Sequence, residues 1–154
     1  MKSNTILNKG SHESILRRIY DLKSDSVARF GKMNVNQMLC HTADQLRIAM
    51  SFIEIPLQGN RVSRYFKKQI ALTLDNIPSE KVDTLDEINQ EKEGTKPVGF
   101  EDDKVNLIKL IDLFLNNEEH YSLQHHPMFG NLDREEWGQL IYVHLNHHLK
   151  QFGV

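Results

Sequence analysis

The chain is poor in cysteine, has no long apolar run and carries no excess of one charge, and each shortage closes off a class of function. Cys40 is the single cysteine in 154 residues, so no internal disulfide can form and a thiol-built zinc knuckle lacks its ligands. No stretch approaches the ~18 consecutive apolar residues of a membrane span. The opening ten residues also lack the apolar core, about 7–15 residues long, of a secretory signal. The expectation is a soluble, cytoplasmic protein without a membrane partner. Lys and Arg (19) nearly balance Asp and Glu (21), and a net charge of −2 argues against nucleic acid as a partner. None of the eight histidines has a glutamate three residues before it, so the Glu-x-x-His pairs of a ferritin-like di-iron bundle are missing.

What remains is an ordinary globular composition, 39% hydrophobic and 26% charged, in a length that fits one domain over residues 1–154. A chain of this size buries roughly 68–70% of its unfolded surface, enough for one sizeable core. The unusual feature is histidine, with three of the eight copies at positions 144, 147 and 148.

Apolar spacing predicts helices and no strands. The first, over 11–23, carries Ile15, Ile19 and Leu22, with Leu16 and Tyr20 widening the face and Ser11 as N-cap. Residues 27–32 read as a short helical piece or turn ended by Gly31. A second helix, 34–53, opens on Asn34 with Gln37 three residues later, a capping box, and with Met33 and Met38 in the staple positions. Pro56 and Gly59 close that segment. The third helix, 62–74, shows Val62, Phe66 and Ile70 along one side and is closed by Pro78. Residues 79–99 turn polar and read as a long loop with one irregular turn, of a kind that is often functional. The fourth helix, 101–117, has Leu107, Leu110, Ile111 and Phe114 as its stripe. After a Pro/Gly loop at 125–130, Asp133 faces Glu136 and Leu132 faces Trp137 to open a last helix running to Gln151, with Gly153 as terminator. The fold class is all-α: a four-helix bundle with an extra short helical piece and a long loop.

On a wheel of roughly 100° per residue, His144 and His148 fall within the apolar stripe of the last helix, whereas His147 points about 100° away toward the flank. Two inward imidazoles four residues apart have Cβ atoms about 5–6 Å apart and can share one ion. Hydrogen bonds to backbone or carboxylates would satisfy the same buried nitrogens. A catalytic site needs a third ligand from another helix. His41, at the stripe edge of the second helix, is the candidate, although that position equally suits a half-exposed histidine. Asp44, three residues on, can orient an imidazole or a bound water, or be a plain surface acid. Cys40 diverges by about 100° from His41 and reads as a small apolar filler. His125 and His126 pack a loop or approach the site. Trp137, Tyr142 and Phe152 are core residues that could also line a pocket.

The His41 helix followed by His144-x-x-x-His148 and Leu149-Lys150-Gln151 resembles the DinB-like superfamily of four-helix-bundle metal proteins. The stretches from Lys32-Met33 through Met38-Leu39-Cys40-His41-Thr42-Ala43-Asp44, and from His126-Pro127-Met128-Phe129-Gly130 to Val154, look like one branch of it that has no assigned reaction. The resemblance follows helix order over the whole chain. It implies a bundle of DinB/YfiT-like type with His41, His144 and His148 as ligands to zinc or nickel. It also implies a low-molecular-weight thiol, such as bacillithiol or mycothiol, as co-substrate in some relatives, hydrolysis in others, and a homodimer as the family-level assembly.

A three-histidine zinc site lowers the pKa of its water to about 7, which supports hydrolysis, while a thiol in the same position would be a nucleophile for transfer to a small electrophile. A carboxylate-bearing thiol wants cations near the mouth. Arg47, Arg61, Arg64, Lys67 and Lys68 could supply them or simply form a solvated face. The basic run at 61–68 is also the sole support for a helix-turn-helix reading, which the net negative charge opposes. The non-enzyme alternative is a stress-response bundle whose metal site is structural or vestigial.

Overall fold

The computed structural model describes residues 4–74 and 84–154. Its helices are α1 (Lys9–Asp21), α2 (Val35–Ala49), α3 (Arg61–Thr73), α4 (Phe100–Asn116) and α5 (Arg134–Gln151), with 3₁₀ turns at Asp86–Ile88 and Glu118–His120. No strand occurs among the described residues, so the fold is all-α.

Local chemistry sets most boundaries. Asn34 accepts the Gln37 N–H while the Gln37 side chain accepts the Asn34 N–H, and Asp133 and Glu136 do the same for α5. Both expected capping boxes are therefore present, and the expected staple residues Leu132 and Trp137 are buried. The first two helices differ most from expectation, the first also ending at Asp21 rather than residue 23. The first helix starts at Lys9, because Asn8 rather than Ser11 is its cap and accepts the N–H groups of Gly10 and Ser11. The second ends at Ala49, short of residue 53 and well before Pro56. There the N–H groups of Phe52 and Ile53 fold back onto the Arg47 carbonyl, and Ser51 takes a left-handed φ of 62°. Pro78, expected to close the third helix, and residues 79–83 of the expected loop lie outside the described residues.

The core is built where α2 packs on α4 and α5, and α1 on α5. Ile15 and Ile19, Met38, Leu39 and Leu46, the stripe Leu107, Ile111 and Phe114, and Trp137, Ile141 and Leu145 are its main members. Fully covering each such side chain contributes about 1.5–3 kcal/mol. Helix α5 is the central one, with residues buried around most of its circumference. Helix α3 is the exception. Val62, Phe66 and Ile70 are turned outward, at 65%, 61% and 60% exposure. The inner side of α3 packs only Ala71 and Leu72 against the core and is otherwise held by polar groups: Lys68 pairs with Glu136 and donates to the Asn131 carbonyl, and Arg64 donates to the carbonyls of Gln58 and Gly59.

Gly138 lets the N-terminal segment lie across α5, where the Ile6 N–H bonds to the Gly138 carbonyl at 3.0 Å and Ile6 is fully buried. A Cβ at 138 would stand 2.6 Å from Thr5 Oγ1 and 2.9 Å from Leu7 Cγ. Gly138→Ala should therefore destabilise the protein by about 1–2 kcal/mol, the overpacking cost outweighing the gain of about 1 kcal/mol in helix propensity. Urea unfolding of the two proteins measures the difference, and a more stable variant would refute the close approach.

Candidate metal centre

His41 on α2 and His144 and His148 on α5 meet in the interior, at 4%, 8% and 6% exposure. Their ligating nitrogens all lie within 4.8 Å of one another. His144 Nε2 stands 2.9 Å from His41 Nε2 and 3.1 Å from His148 Nε2.

The outer nitrogens decide what those short contacts are. His41 donates its Nδ1–H to the Ile88 carbonyl (2.9 Å), His144 to Gln45 Oε1 (2.8 Å) and His148 to Gln151 Oε1 (2.7 Å). The Ile88 carbonyl and the Gln151 amide oxygen place the His41 and His148 protons on Nδ1, and with the Gln45 amide oxygen turned toward His144 the third proton sits there too, so that each Nε2 presents a lone pair inward. The Gln151 amide cannot turn round, since its Nε2 donates to the Phe30 carbonyl at 2.8 Å. Gly31 leaves room for that amide: a Cβ there would lie 2.5 Å from Gln151 Nε2. Burial pushes all three imidazoles below their ordinary range, His144 strongly and His148 to about 3, and neighbouring histidines push His144 and His148 further. Three neutral imidazoles thus converge on one point with no proton between them. A cation resolves that crowding of lone pairs, and the cluster could hold a metal ion.

His147 stays on the flank as expected, its ring edge-on to His148 and to Phe30 at 4.9 and 5.5 Å between centroids. Asp44 is not at the surface. Its carboxylate is fully covered and accepts from Arg47 Nη1, Gln90 Nε2, the Thr95 N–H and the Thr95 hydroxyl. It anchors the 84–95 stretch to α2, while the group that orients His41 directly is Ile88, two residues before Gln90. Cys40 is buried as expected for a filler. Burial, and then the Asp103 carboxylate beside it, push its thiol up to about 12, so it stays protonated and inert. Trp137 is a core residue whose indole N–H bonds to the Gln124 carbonyl.

A cavity of about 240 Å³ opens over the three histidines. His126 reaches its wall, whereas His125 packs its loop by bonding to the Ile55 carbonyl. The His126 ring stacks on Phe129, 4.2 Å between centroids, and its Nδ1 accepts the Met128 N–H. Burial, aided by His125, pushes this imidazole down to about 3. Between pH 6.5 and 3 the unfolded chain therefore takes up a proton here that the folded chain refuses. The residue's contribution to stability is full above pH 6.5 and falls as the pH drops toward 3. By pH 5 the loss should be about 1–2 kcal/mol, allowing for screening of a ring that is not completely covered. His126→Asn, which keeps an acceptor for Met128, should be less stable than the native chain at pH 7.5, with a gap that narrows by that amount at pH 5. A constant gap in urea unfolding would show that His126 is solvated.

Gln45, Gln151 and Ile88 were missed from sequence. Gln45 and Gln151 stand four residues after His41 and three after His148, a helical spacing that was there to be read, whereas a backbone carbonyl in a loop leaves no trace. The chain matches the family described as "Protein of unknown function (DUF1569)" over residues 1–153. No curated protein and no solved structure matches it. With the match spanning nearly the whole chain, all five helices and all three clustered histidines included, the protein belongs to the DUF1569 family.

Proposed function

We propose that this chain is a divalent-metal-dependent enzyme of the DinB-like superfamily, with α1, α2, α4 and α5 as its four-helix bundle. His41, His144 and His148 would hold the ion, zinc and nickel being among the ions that imidazole ligands suit. The observation that carries this reading is the convergence of three Nε2 lone pairs whose Nδ1 protons are already taken by oxygens. An ion held there supplies Lewis-acid chemistry, making a coordinated water or thiol acidic enough to react near neutral pH.

The chain's own residues supply the rest. Ile88, Gln45 and Gln151 hold the three rings in one tautomer and one orientation, and burial keeps them unprotonated. The cavity beside them gives a small molecule a place to sit within reach of the histidines. The reaction is transfer of a thiol to a small electrophile, or hydrolysis of one. The 84–95 stretch, anchored by Asp44, supplies the Ile88 carbonyl.

The test is metal analysis of tag-free protein together with a screen of low-molecular-weight thiols and electrophiles, with and without chelator. About one zinc or nickel per chain and chelator-sensitive turnover would support the reading. The cluster also ties α2 to α5, which favours a structural ion as the second reading. Metal that is needed for folding, with no turnover, would establish that one instead.

A further inference from the structure

We infer that the cavity over the three histidines takes a small, uncharged, mainly hydrocarbon molecule with one donor atom at one end, and not a carboxylate-bearing thiol. The orientation of the ligand rests on the metal reading above; the class of ligand rests on the cavity walls alone.

Those walls are aliphatic on two sides, from Ile48 of α2, Ile88, and Leu140 and Val143 of α5, and are closed by Met128 and Phe129 of the 125–130 turn. Their polar groups are largely committed elsewhere. Gln45 Oε1 accepts from His144, and His126 Nδ1 accepts the Met128 N–H. No Lys, Arg, Asp or Glu lines the cavity among the described residues. None of the five cations that could have received carboxylates lines the cavity, and three are engaged away from it. Arg47 is bonded to Asp44 and Thr95, Arg64 to the carbonyls of Gln58 and Gly59, and Lys68 to Glu136.

A carboxylate entering such a space gives up its water and finds no paired charge among the described residues, which costs several kcal/mol. One anionic atom facing a divalent ion is compensated; a second, placed against Ile48 or Val143, is not. Size narrows the class further. An apolar cavity of about 150 Å³ takes a benzene ring, so about 240 Å³ suits a ligand of about ten non-hydrogen atoms. Among the described residues, the hydrogen-bonding side chains of the lining are the histidines, Gln45 and Thr84, and only the His41, His144 and His148 cluster with Gln45 offers several together, so the ligand's thiol, hydroxyl or carbonyl points there and its hydrocarbon body lies toward Phe129.

A matched pair of probes tests this. 4-Methylbenzyl mercaptan and 4-(mercaptomethyl)benzoate share a ring and a thiol and differ by a carboxylate. Calorimetry on zinc-loaded protein should show the neutral thiol binding at least tenfold more tightly. Met128→Lys, at a partly exposed site where the long side chain can reach solvent, should weaken the neutral thiol and narrow the ratio severalfold, whereas Met128→Leu should leave it unchanged. Metal-free protein should still gain thermal stability from toluene. Equal or tighter binding of the carboxylate would overturn the inference while leaving the metal reading intact. Toluene binding without zinc uptake would support the cavity assignment and remove the metal reading. Failure of both neutral probes to bind either form would also overturn the inference.

Discussion

His144→Ala is expected to leave the protein without metal, whereas His147→Ala, three residues on, keeps it. His144 is the middle member of the cluster, its Nε2 within 2.9 Å of one neighbour and 3.1 Å of the other. Its removal leaves two imidazoles from different helices and no third clustered donor among the described residues. The loss of affinity should exceed the roughly 10–100-fold that outer-shell changes cost. Gln151→Leu, which removes the acceptor of the His148 Nδ1–H while leaving all three ligands, should fall within that 10–100-fold range. Metal analysis and chelator competition on tag-free protein read both effects. Thermal unfolding gives an independent check. An ion present at about a hundred times its Kd stabilises the folded chain by about 2.7 kcal/mol, which in a chain of this length raises Tm by about 5–10 °C. Chelator should therefore lower the Tm of the native protein and of His147→Ala by that amount and leave His144→Ala unmoved. Metal loss in His147→Ala with retention in His144→Ala would mean that the helical register is wrong.

The legible part of this site was the part written in side chains on one helix. Asp133 and Glu136 set where α5 begins, and from that start the wheel places His144 and His148 inward and His147 on the flank. His41 is less legible because it stands at the edge of its stripe. Burial of nearly all of α2 between α4 and α5 turns that edge into interior, and burial of that extent follows from tertiary packing that periodicity does not encode. Helix α3 makes the converse point. Val62, Phe66 and Ile70 are spaced as an apolar side, but the spacing does not say which way that side faces. Lys68 on Glu136 and Arg64 on two loop carbonyls hold the opposite side inward. Likewise, Ser11 reads as the cap of the first helix, but Asn8 takes that place because its side chain accepts two N–H groups and starts the helix earlier. The Asp44 contacts to Gln90 and Thr95 were illegible, since these partners lie 46 and 51 residues downstream in a segment with no periodic pattern.

Those contacts make Asp44→Ala the substitution outside the ligand set with the largest expected effect. The carboxylate has no exposed surface and receives four hydrogen bonds, from Arg47 and the Thr95 hydroxyl on one oxygen and from Gln90 and the Thr95 N–H on the other. Alanine would leave a largely covered guanidinium, an amide and a backbone N–H without their acceptor. Gln90 is already buried with its Oε1 unpartnered, so its side chain would have neither end satisfied. Breaking a buried charged network from one side costs about 3–5 kcal/mol, against a total of about 5–15 kcal/mol for a domain, so Tm should fall by about 10 °C or more. The consequence reaches the three-histidine cluster. Gln90 and Thr95 tie down the stretch whose Ile88 carbonyl fixes the His41 tautomer. Once that stretch is released, His41 is free to tautomerise and rotate, and metal affinity should drop about 10–100-fold with all three ligands intact. Asp44→Asn keeps the shape but turns an NH₂ toward groups that are themselves donors, so it should show the same drop in affinity with a smaller loss of stability. The discriminating measurement is the proton resonance of His41 Nδ1–H. It should broaden or vanish in both Asp44 variants at temperatures where they remain folded, while that of His144, bonded to Gln45, persists. A His41 signal unchanged in a folded Asp44→Asn would show that Ile88 is held in place without the carboxylate.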